Sequence, residues 1–238
     1  MLENGLVSPT EEGTPQGGPR SPLLSNLVLD ELDRELEKRG HRFVRYADDC
    51  NIYVGSAAAG RRVMASITRF VHTKLKLKVN AEKSAVARPQ ARKFLGFSFT
   101  SGAVPKRRIA GKALLRFQRQ VRELTRRTRG VHERQLKELA AYLRGWQSYF
   151  GFCETPTVLE KLTRWLRRRL RAAFWKQWKR GSTRYAELRR RGVGRDLAAS
   201  TAGSSLGPWH LGNSPALAIA LPNEIFASLG LPSLAVRT

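Results

Sequence analysis

The stretch Phe43-Val44-Arg45-Tyr46-Ala47-Asp48-Asp49-Cys50-Asn51-Ile52-Tyr53-Val54 decides the fold of the first part of this chain. Two runs of β-prone residues enclose a short polar segment, residues 47–50. This pattern predicts an antiparallel hairpin with the polar segment at its tip. The tip would carry two adjacent carboxylates, Asp48 and Asp49, whose repulsion must be relieved by water, cations or a bound metal. Aspartate is also common in ordinary turns, so the pair taken alone favours a purely structural turn.

Helices are predicted on both sides of this hairpin. Ser21-Pro22 has the composition of an N-cap followed by a first helical residue, and Gly40 fits a helix stop. The apolar side chains of this helix recur every four residues: Leu24, Val28, Leu32 and Leu36. The corresponding side chains of a second helix, after the hairpin, are Val63, Ile67, Phe70 and Val71. Two further strands are predicted at residues 75–79 and 94–99, so this region should form an antiparallel sheet backed by helices.

From about Gly111 the apolar residues adopt a helical period, which predicts a small helical bundle. The apolar stripes of its three helices are Leu114, Phe117, Val121 and Leu124; Leu136, Leu139, Leu143, Trp146 and Phe150; and Leu159, Leu162, Leu166, Leu170 and Phe174. Residues 192–238 are rich in Gly, Pro, Ser and Ala, with one short helix predicted at residues 222–229. The predicted fold class is therefore α+β.

The chain of 238 residues is strongly basic, with 44 Lys and Arg against 19 Asp and Glu and a formal net charge of +25. The charge is unevenly placed: net +5 for residues 1–104, +20 for residues 105–191 and zero for residues 192–238. Three regions are therefore predicted, and the middle one is expected to contact the phosphate backbone of a nucleic acid.

Membrane and secreted classes are disfavoured. No apolar run approaches the roughly 20 residues needed to span a bilayer, and residues 1–5 lack a basic segment followed by an apolar stretch. The two cysteines, Cys50 and Cys153, cannot build a disulfide framework, and no Cys-x-x-Cys pair suggests a zinc site. We therefore expect a cytoplasmic protein without a membrane partner.

Basic residues of the predicted bundle are the candidates for nucleic-acid binding. They are Arg116, Arg119, Arg122, Arg126, Arg127, Arg167, Arg168, Arg171, Lys176 and Lys179. Trp165, Trp175 and Trp178 lie among them, so stacking on unpaired bases is expected beside phosphate contacts. A solvated helix face is the alternative explanation for such arginines. Packing in the core is the expected role of Trp146, Phe150 and Phe174, which fall on the apolar stripes.

Four motifs resemble those of reverse transcriptases, in the family's order. Tyr46-Ala47-Asp48-Asp49 resembles the catalytic motif. Before it, Pro15-Gln16-Gly17-Gly18-Pro19 and the following helix resemble the glycine turn that faces nucleotide and template. After it, Asn80-Ala81-Glu82-Lys83-Ser84 resembles the motif with a lysine near the triphosphate, and Phe94-Leu95-Gly96-Phe97 resembles the primer-grip hairpin.

The second half of the chain resembles group II intron-encoded proteins. Tyr142-Leu143-Arg144-Gly145-Trp146 and the surrounding basic helices are similar to their thumb, or maturase-specific, region. The chain is identified as a member of the group II intron reverse transcriptase/maturase family. Residues 1–104 would be a partial palm, residues 105–191 the thumb or maturase-specific domain, and residues 192–238 a C-terminal tail.

The resemblance implies roles for individual residues. Asp48 and Asp49 would hold Mg²⁺ ions for two-metal catalysis, and Lys83 would approach the leaving phosphates. The residues expected to contact substrate are Gln16, Gly17, Gly18, Tyr46, Ala47, Leu95 and Gly96. A solvated surface lysine is the alternative for Lys83, and a simple strand bend is the alternative for Gly96.

The implied function is RNA-directed DNA synthesis and intron splicing, with group II intron RNA, an RNA template, a DNA primer and dNTPs as partners. Polymerases of this type use a further metal-binding Asp upstream of the glycine-rich motif, and only residues 1–13 precede that motif here. We therefore expect the polypeptide to bind RNA but to polymerise poorly alone, unless a separate N-terminal fragment or a homodimer completes the site. The alternatives are a non-catalytic RNA-binding maturase remnant, and a retron-type or CRISPR-associated reverse transcriptase.

Overall fold

The computed structural model describes residues 21–126 and 131–235, and the backbone of two short paired strands, β1 (Leu2–Glu3) and β2 (Leu6–Val7). The chain divides into two compact units, residues 1–88 and 89–238. The described residues are rich in helix, and their strands form small antiparallel sheets, in agreement with the predicted α+β class. The division at residue 104 was predicted from charge, and as a functional boundary it stays a prediction.

Residues 21–88 of the first unit form two helices and a hairpin. These elements are α1 (Ser21–Lys38), β3 (Arg42–Tyr46), β4 (Asp49–Tyr53) and α2 (Ala57–Thr73). Ser56 caps α2 by accepting a hydrogen bond from the Ala59 amide. The small core of this unit is Leu32, Leu36, Ile67 and Val71, with Phe43 and Ile52 packed against it. The hairpin therefore lies with one face on the two helices.

Helix α1 ends as predicted. Gly40 has φ of 69°, its amide donates to the Glu37 carbonyl, and the His41 amide donates to the Leu36 carbonyl. These two bonds are those of a Schellman motif, which uses a left-handed residue to satisfy the last carbonyls of a helix. Only the C-terminal half of the predicted apolar stripe is buried, since Leu24 and Val28 are largely exposed.

The predicted strand at residues 75–79 is wrong. This segment is irregular, and Lys76 has φ of 55°, outside the range of extended backbone. The Leu77 amide donates to the Val71 carbonyl at the end of α2, so this amide is not available for pairing with a strand. Leu75 and Val79 pack on the small core while Leu77 is exposed, which explains the alternating pattern without a sheet.

The second unit is mainly helical. It begins with a 3₁₀ turn (Pro89–Ala91) and the paired strands β5 (Phe97–Phe99) and β6 (Arg107–Ile109). Its helices are α3 (Gly111–Leu124), α4 (Glu133–Phe150), α5 (Pro156–Gln177), α6 (Gly181–Arg190), α7 (Arg195–Ala202), α8 (Pro208–Leu211), α9 (Pro215–Ala220) and α10 (Asn223–Ser228). The first three of these were predicted from their apolar stripes.

Two predictions for this unit need correction. The strand predicted at residues 94–99 begins only at Phe97, because Leu95 and Gly96 (φ 50° and 79°) form a two-residue turn. The predicted continuous sheet is also not formed, since the described strands make three separate two-stranded sheets.

The C-terminal region, described to residue 235, contributes to the core of the second unit. Leu217, Leu221 and Phe226 are fully buried in the same cluster as Phe117, Leu143 and other residues of α3, α4 and α5. Small residues permit this close packing. Gly212 lies so near α5 that a Cβ atom there would be 2.7 Å from the Arg168 carbonyl oxygen.

None of the helices in the described ranges is both long and apolar enough to cross a membrane.

Candidate active-site hairpin and nucleic-acid interface

The end of the β3–β4 hairpin presents the two adjacent carboxylates. Tyr46 pairs with Asp49, so the turn consists of Ala47 and Asp48, and Asp49 is the first residue of β4. Both aspartates are exposed. Ala47 has φ of 52°, a conformation that costs a residue with a side chain about 1–2 kcal/mol. The turn therefore needs support from its surroundings.

Arg45 supplies that support. Its Nε atom donates to Asp33 Oδ1 on α1 at 2.8 Å, and its Nη1 atom donates to the Ala47 carbonyl at 2.9 Å. Nη1 also lies 3.1 Å from Asn26 Oδ1 on the same helix. One guanidinium group thus joins the strained turn to α1, and its planar fork suits this bridging role.

Two groups on the inward face of the hairpin end have shifted pKa values. The hydrogen bond to Asp33 raises the pKa of Arg45, so its charge is retained. Cys50, directly opposite Arg45 in the register, has its pKa raised to about 11, first by burial and then by the Asp33 charge. The Cys50 thiol is therefore neutral at physiological pH and packs as a small apolar group.

Asp48 and Asp49 fit a hard cation as part of a donor set. Carboxylate oxygens are the ligands that such ions prefer, and both side chains are open to solvent. Across residues 21–126 and 131–235, however, three or more His, Cys, Asp and Glu side chains do not come together as a metal-binding group. The hairpin therefore offers two exposed carboxylates to a cation, without a third such ligand from the described residues.

The other predicted substrate residues occupy turns. Lys83 is exposed in a turn in which the Asn80 side chain accepts a hydrogen bond from the Lys83 amide at 3.1 Å. In the second unit, the Leu95 carbonyl accepts from Tyr149 Oη at 3.0 Å. A Cβ atom on Gly96 would lie 3.1 Å from the Phe150 ring, so both the φ angle and the close approach favour glycine. Gln16, Gly17, Gly18 and Arg127 lie outside the described residues.

A basic stripe follows one side of α3. It consists of Arg116, Arg119, Arg122 and Arg126, all exposed, and we call these four residues the α3 basic stripe. At 3.6 residues per turn, the three arginines within α3 fall within about a third of the helix circumference. Arg126, just after the helix end, extends the stripe. The opposite side buries Phe117 and Val121 in the core. Lys176 and Lys179 are also exposed.

The basic residues of α5 are placed differently. Arg167 is buried, and Arg168 and Arg171 are half-buried, with Nε donating to the carbonyls of Trp209 and Leu221 respectively, each at 2.9 Å. The predicted base stacking by Trp175 and Trp178 is wrong, because these side chains are only 1% and 7% exposed. Trp175, near the end of α5, and Trp178, just after it, pack in the core of the second unit.

Comparison with known proteins gives two adjoining matches along the chain. Residues 3–99 match the family described as reverse transcriptase (RNA-dependent DNA polymerase). Residues 114–192 match the group II intron maturase-specific domain. The group II intron-encoded protein LtrA of Lactococcus lactis subsp. cremoris is 27% identical, over 48% of this chain and 31% of its own length. Together these matches support a group II intron-encoded reverse transcriptase with a maturase-specific domain.

This reverse transcriptase/maturase chain also resembles a retron protein in part. The retron Mx65 reverse transcriptase of Myxococcus xanthus is 40% identical, over 31% of the chain and 18% of its own length. The maturase-specific match at residues 114–192 is what distinguishes the group II assignment. The matched region spans about a third or less of either relative. Members of these families bind intron RNA and other nucleic acids, and reverse transcriptases use divalent metal ions.

Sequence inspection of this reverse transcriptase/maturase missed three residues at the hairpin. Arg45 was recognised only as a residue of the first β-prone run, and no contact was predicted between it and Asp33 or Asn26. One signal was present: Arg45 shares the inward face of β3 with Phe43, and a charged residue on an inward face requires a partner.

Proposed function

We propose that this chain contributes part of the palm and the thumb of an RNA-directed DNA polymerase that also acts as an intron-splicing maturase. The observation that carries the proposal is the exposed pair Asp48 and Asp49 at a hairpin end whose strained turn is tied to α1 by Arg45. Residues 1–104 act as the partial palm and residues 105–191 as the thumb or maturase-specific domain. The tail, residues 192–238, packs with the thumb core and supports it.

Asp48 and Asp49 hold Mg²⁺ in this proposal. At these two carboxylates a bound Mg²⁺ would supply Lewis-acid activation of the primer 3′ hydroxyl and charge stabilisation for the departing pyrophosphate. The side chains of the chain itself provide position and charge. Arg45 keeps the carboxylates at the hairpin end, and Ala47 and Tyr46 lie beside the primer terminus. The exposed Lys83 ammonium group neutralises the phosphates of the dNTP.

The thumb role rests on the α3 basic stripe. Its four arginines are exposed on one side of the helix, while the other side is anchored in the core. Such an arrangement tracks a phosphate backbone with little sequence preference. We propose that the stripe holds the group II intron RNA during splicing and the RNA template with its DNA primer during synthesis. Gln16, Gly17 and Gly18 contact nucleotide and template, and Leu95 and Gly96 contact the primer.

A second candidate function is RNA binding for splicing without DNA synthesis. It is favoured by one observation, that Asp48 and Asp49 gather no third metal-ligating side chain among the described residues. In that case a separate polypeptide or a second copy of the chain would have to supply the further carboxylate before synthesis could occur.

The proposed metal site can be tested independently of synthesis. Fe²⁺ substituted for Mg²⁺ generates hydroxyl radicals that cleave the polypeptide near its binding site. We expect cleavage beside residue 48, lost in the Asp48→Asn/Asp49→Asn double variant and retained in an Asp30→Asn/Glu31→Asn control, which removes two acidic groups from α1. Cleavage unaffected by the first double variant would contradict the metal assignment. Primer extension with Mg²⁺ on an RNA template then separates the two candidate functions.

A further inference from the structure

Arg167 lies on the buried side of α5 and is an unusual core residue. It is only 5% exposed, and its Nε and Nη1 atoms have no hydrogen-bond partner in the part of the chain that the structure describes. A buried charged group with unsatisfied hydrogen-bond donors is costly, so native proteins pair such donors or hold ligands with them. The missing partner of Arg167 therefore requires an explanation.

Arg167 is one of the residues that line a cavity of about 300 Å³ between α5, α10 and the segment that follows α10. Polar side chains surround the same space: Thr163, Asn223 and Ser233 each contribute to its wall. Hydroxyl and amide groups can donate hydrogen bonds to a bound oxyanion. The volume is at the small end of the range for ligand sites, where a compact ligand is accommodated.

The charge around this cavity favours an anion. Arg171, one helical turn from Arg167, is a second guanidinium group, and both flank the Phe226 ring at 5.0 and 5.9 Å from its centroid. Arg171 donates to the Leu221 carbonyl through Nε, so one of its donors already has a partner within the fold. Burial lowers the pKa of Arg167 and the neighbouring Arg171 charge lowers it further, whereas the Glu224 charge raises it. An anion in the cavity would stabilise the charged form of Arg167 and so offset both unfavourable effects.

Glu224 is the acidic side chain in the wall of the cavity, yet among the described residues it forms no ion pair with Arg167. We propose that the cavity binds a phosphate group, with Arg167 as its principal ligand and Thr163, Asn223 and Ser233 as further donors. The forked guanidinium group matches two oxygens of a phosphate, and the other donors match the remaining oxygens. This site is separate from the α3 basic stripe and does not depend on DNA synthesis.

The test uses the complete chain labelled with ¹⁵N-arginine and titrated with inorganic phosphate, at an ionic strength of about 0.3 M to screen exposed charges. The Arg167 Nε–Hε signal, assigned by its loss in Arg167→Lys, should shift with saturation. Arg167→Lys and Arg167→Gln should each weaken binding about tenfold or more, as expected for lost charge-assisted hydrogen bonds. Arg164→Gln, which removes an exposed arginine from the same helix, should leave the affinity within about twofold.

Glu224→Gln should have the opposite effect on phosphate affinity. It removes an acidic charge from the cavity wall and should therefore strengthen phosphate binding. The source of the phosphate is resolved by comparing 5′-phosphorylated and 5′-hydroxyl RNA oligonucleotides with inorganic phosphate. A shift of the Arg167 signal at lower concentration with the 5′-phosphorylated RNA assigns the site to RNA ends, and a shift with inorganic phosphate alone assigns it to free phosphate compounds. The proposal is overturned if the wild-type Arg167 signal moves with none of these probes. It is also overturned if Arg164→Gln weakens binding as much as Arg167→Gln does.

Discussion

Arg45 on β3 and Asp33 on α1 form a forked ion pair, with Nε of Arg45 2.8 and 3.0 Å from the two carboxylate oxygens of Asp33. The side chains are only 13% and 23% exposed, which makes this pair the most enclosed of the salt bridges between described residues. Because the same arginine donates to the carbonyl of Ala47, the pair connects the helix with the turn that carries Asp48.

The first prediction concerns this ion pair. Asp33→Asn should lower the free energy of local opening of the β3–β4 hairpin by about 1.5–3 kcal/mol, the range for hydrogen bonds to charged groups. Amide hydrogen exchange at β3 and β4 measures this opening. The matched control is Asp30→Asn, which breaks the exposed Arg34–Asp30 pair on the same helix and should cost about 0.5 kcal/mol or less. Equal effects of the two substitutions would show that the pair does not support the hairpin.

The second prediction concerns the α3 basic stripe. The triple variant Arg116→Gln, Arg119→Gln, Arg122→Gln should reduce the slope of log K against log salt by about 2 for single-stranded RNA, because each phosphate contact contributes roughly 0.7. Fluorescence anisotropy over a KCl series gives the slope.

A control for the stripe removes the same charge elsewhere. Arg61, Arg62 and Arg69 are exposed on α2, and their replacement by Gln should change the slope much less. If both triple variants lower the slope equally, RNA binding follows net charge and the stripe has no special role.

The third prediction tests the packing of the C-terminal region. Gly212→Ala would place a Cβ atom 2.7 Å from the Arg168 carbonyl oxygen and 3.2 Å from the Ala172 Cβ atom, so we expect a loss of about 1–3 kcal/mol in the stability of the second unit. Gly145→Ala on α4 meets no atom within 4 Å and should gain about 0.5–1 kcal/mol from helix propensity. All five tryptophans lie in this unit, so urea unfolding followed by tryptophan fluorescence reports on it. A neutral Gly212→Ala variant would mean that α8 does not pack on α5 as described.

The fourth prediction concerns the Cys50 thiol. Its pKa is raised to about 11 from an ordinary value of 9.0, so its thiolate fraction near pH 8 should be about a hundredfold below that of an unfolded chain, since each pKa unit is tenfold. The rate of iodoacetamide labelling should rise with pH to an inflection near 11, measured in a Cys153→Ser background that leaves Cys50 as the only thiol. The same chain unfolded in urea should inflect near 9, and an identical inflection in the folded chain would refute the shift.

This shift also has a consequence for stability, with a definite sign. Because the folded pKa of Cys50 lies above the unfolded value, its contribution to stability is present below about pH 9 and is lost as the pH rises towards 11. Hydrogen exchange of the hairpin should therefore quicken over this alkaline range in the wild type and much less in a Cys50→Ala variant.

The sequence alone determined the local elements and the chemistry of the hairpin. Helix α1 was predicted from the periodicity of Leu32 and Leu36, and its end from Gly40. Such signals depend only on residues close together in the sequence. Asp48 and Asp49 were predicted at the hairpin end for the same reason, because the β-prone runs on either side leave only the segment between them for the turn. The uneven charge likewise predicted a basic helix α3.

Only the tertiary structure decided which of these side chains face solvent and which have partners. The alternating pattern predicted a strand at residues 75–79, but this strand does not form. Lys76 is in a left-handed conformation, and the Leu77 amide donates to the Val71 carbonyl at the end of α2. Trp175 and Arg167 look in sequence like parts of a nucleic-acid surface, yet packing against the C-terminal helices buries both. Arg45 forms its ion pair with Asp33, which lies 12 residues away in the sequence. Periodicity describes one helix or strand at a time, whereas burial and pairing depend on which elements meet, and that is settled by contacts between residues far apart in the chain.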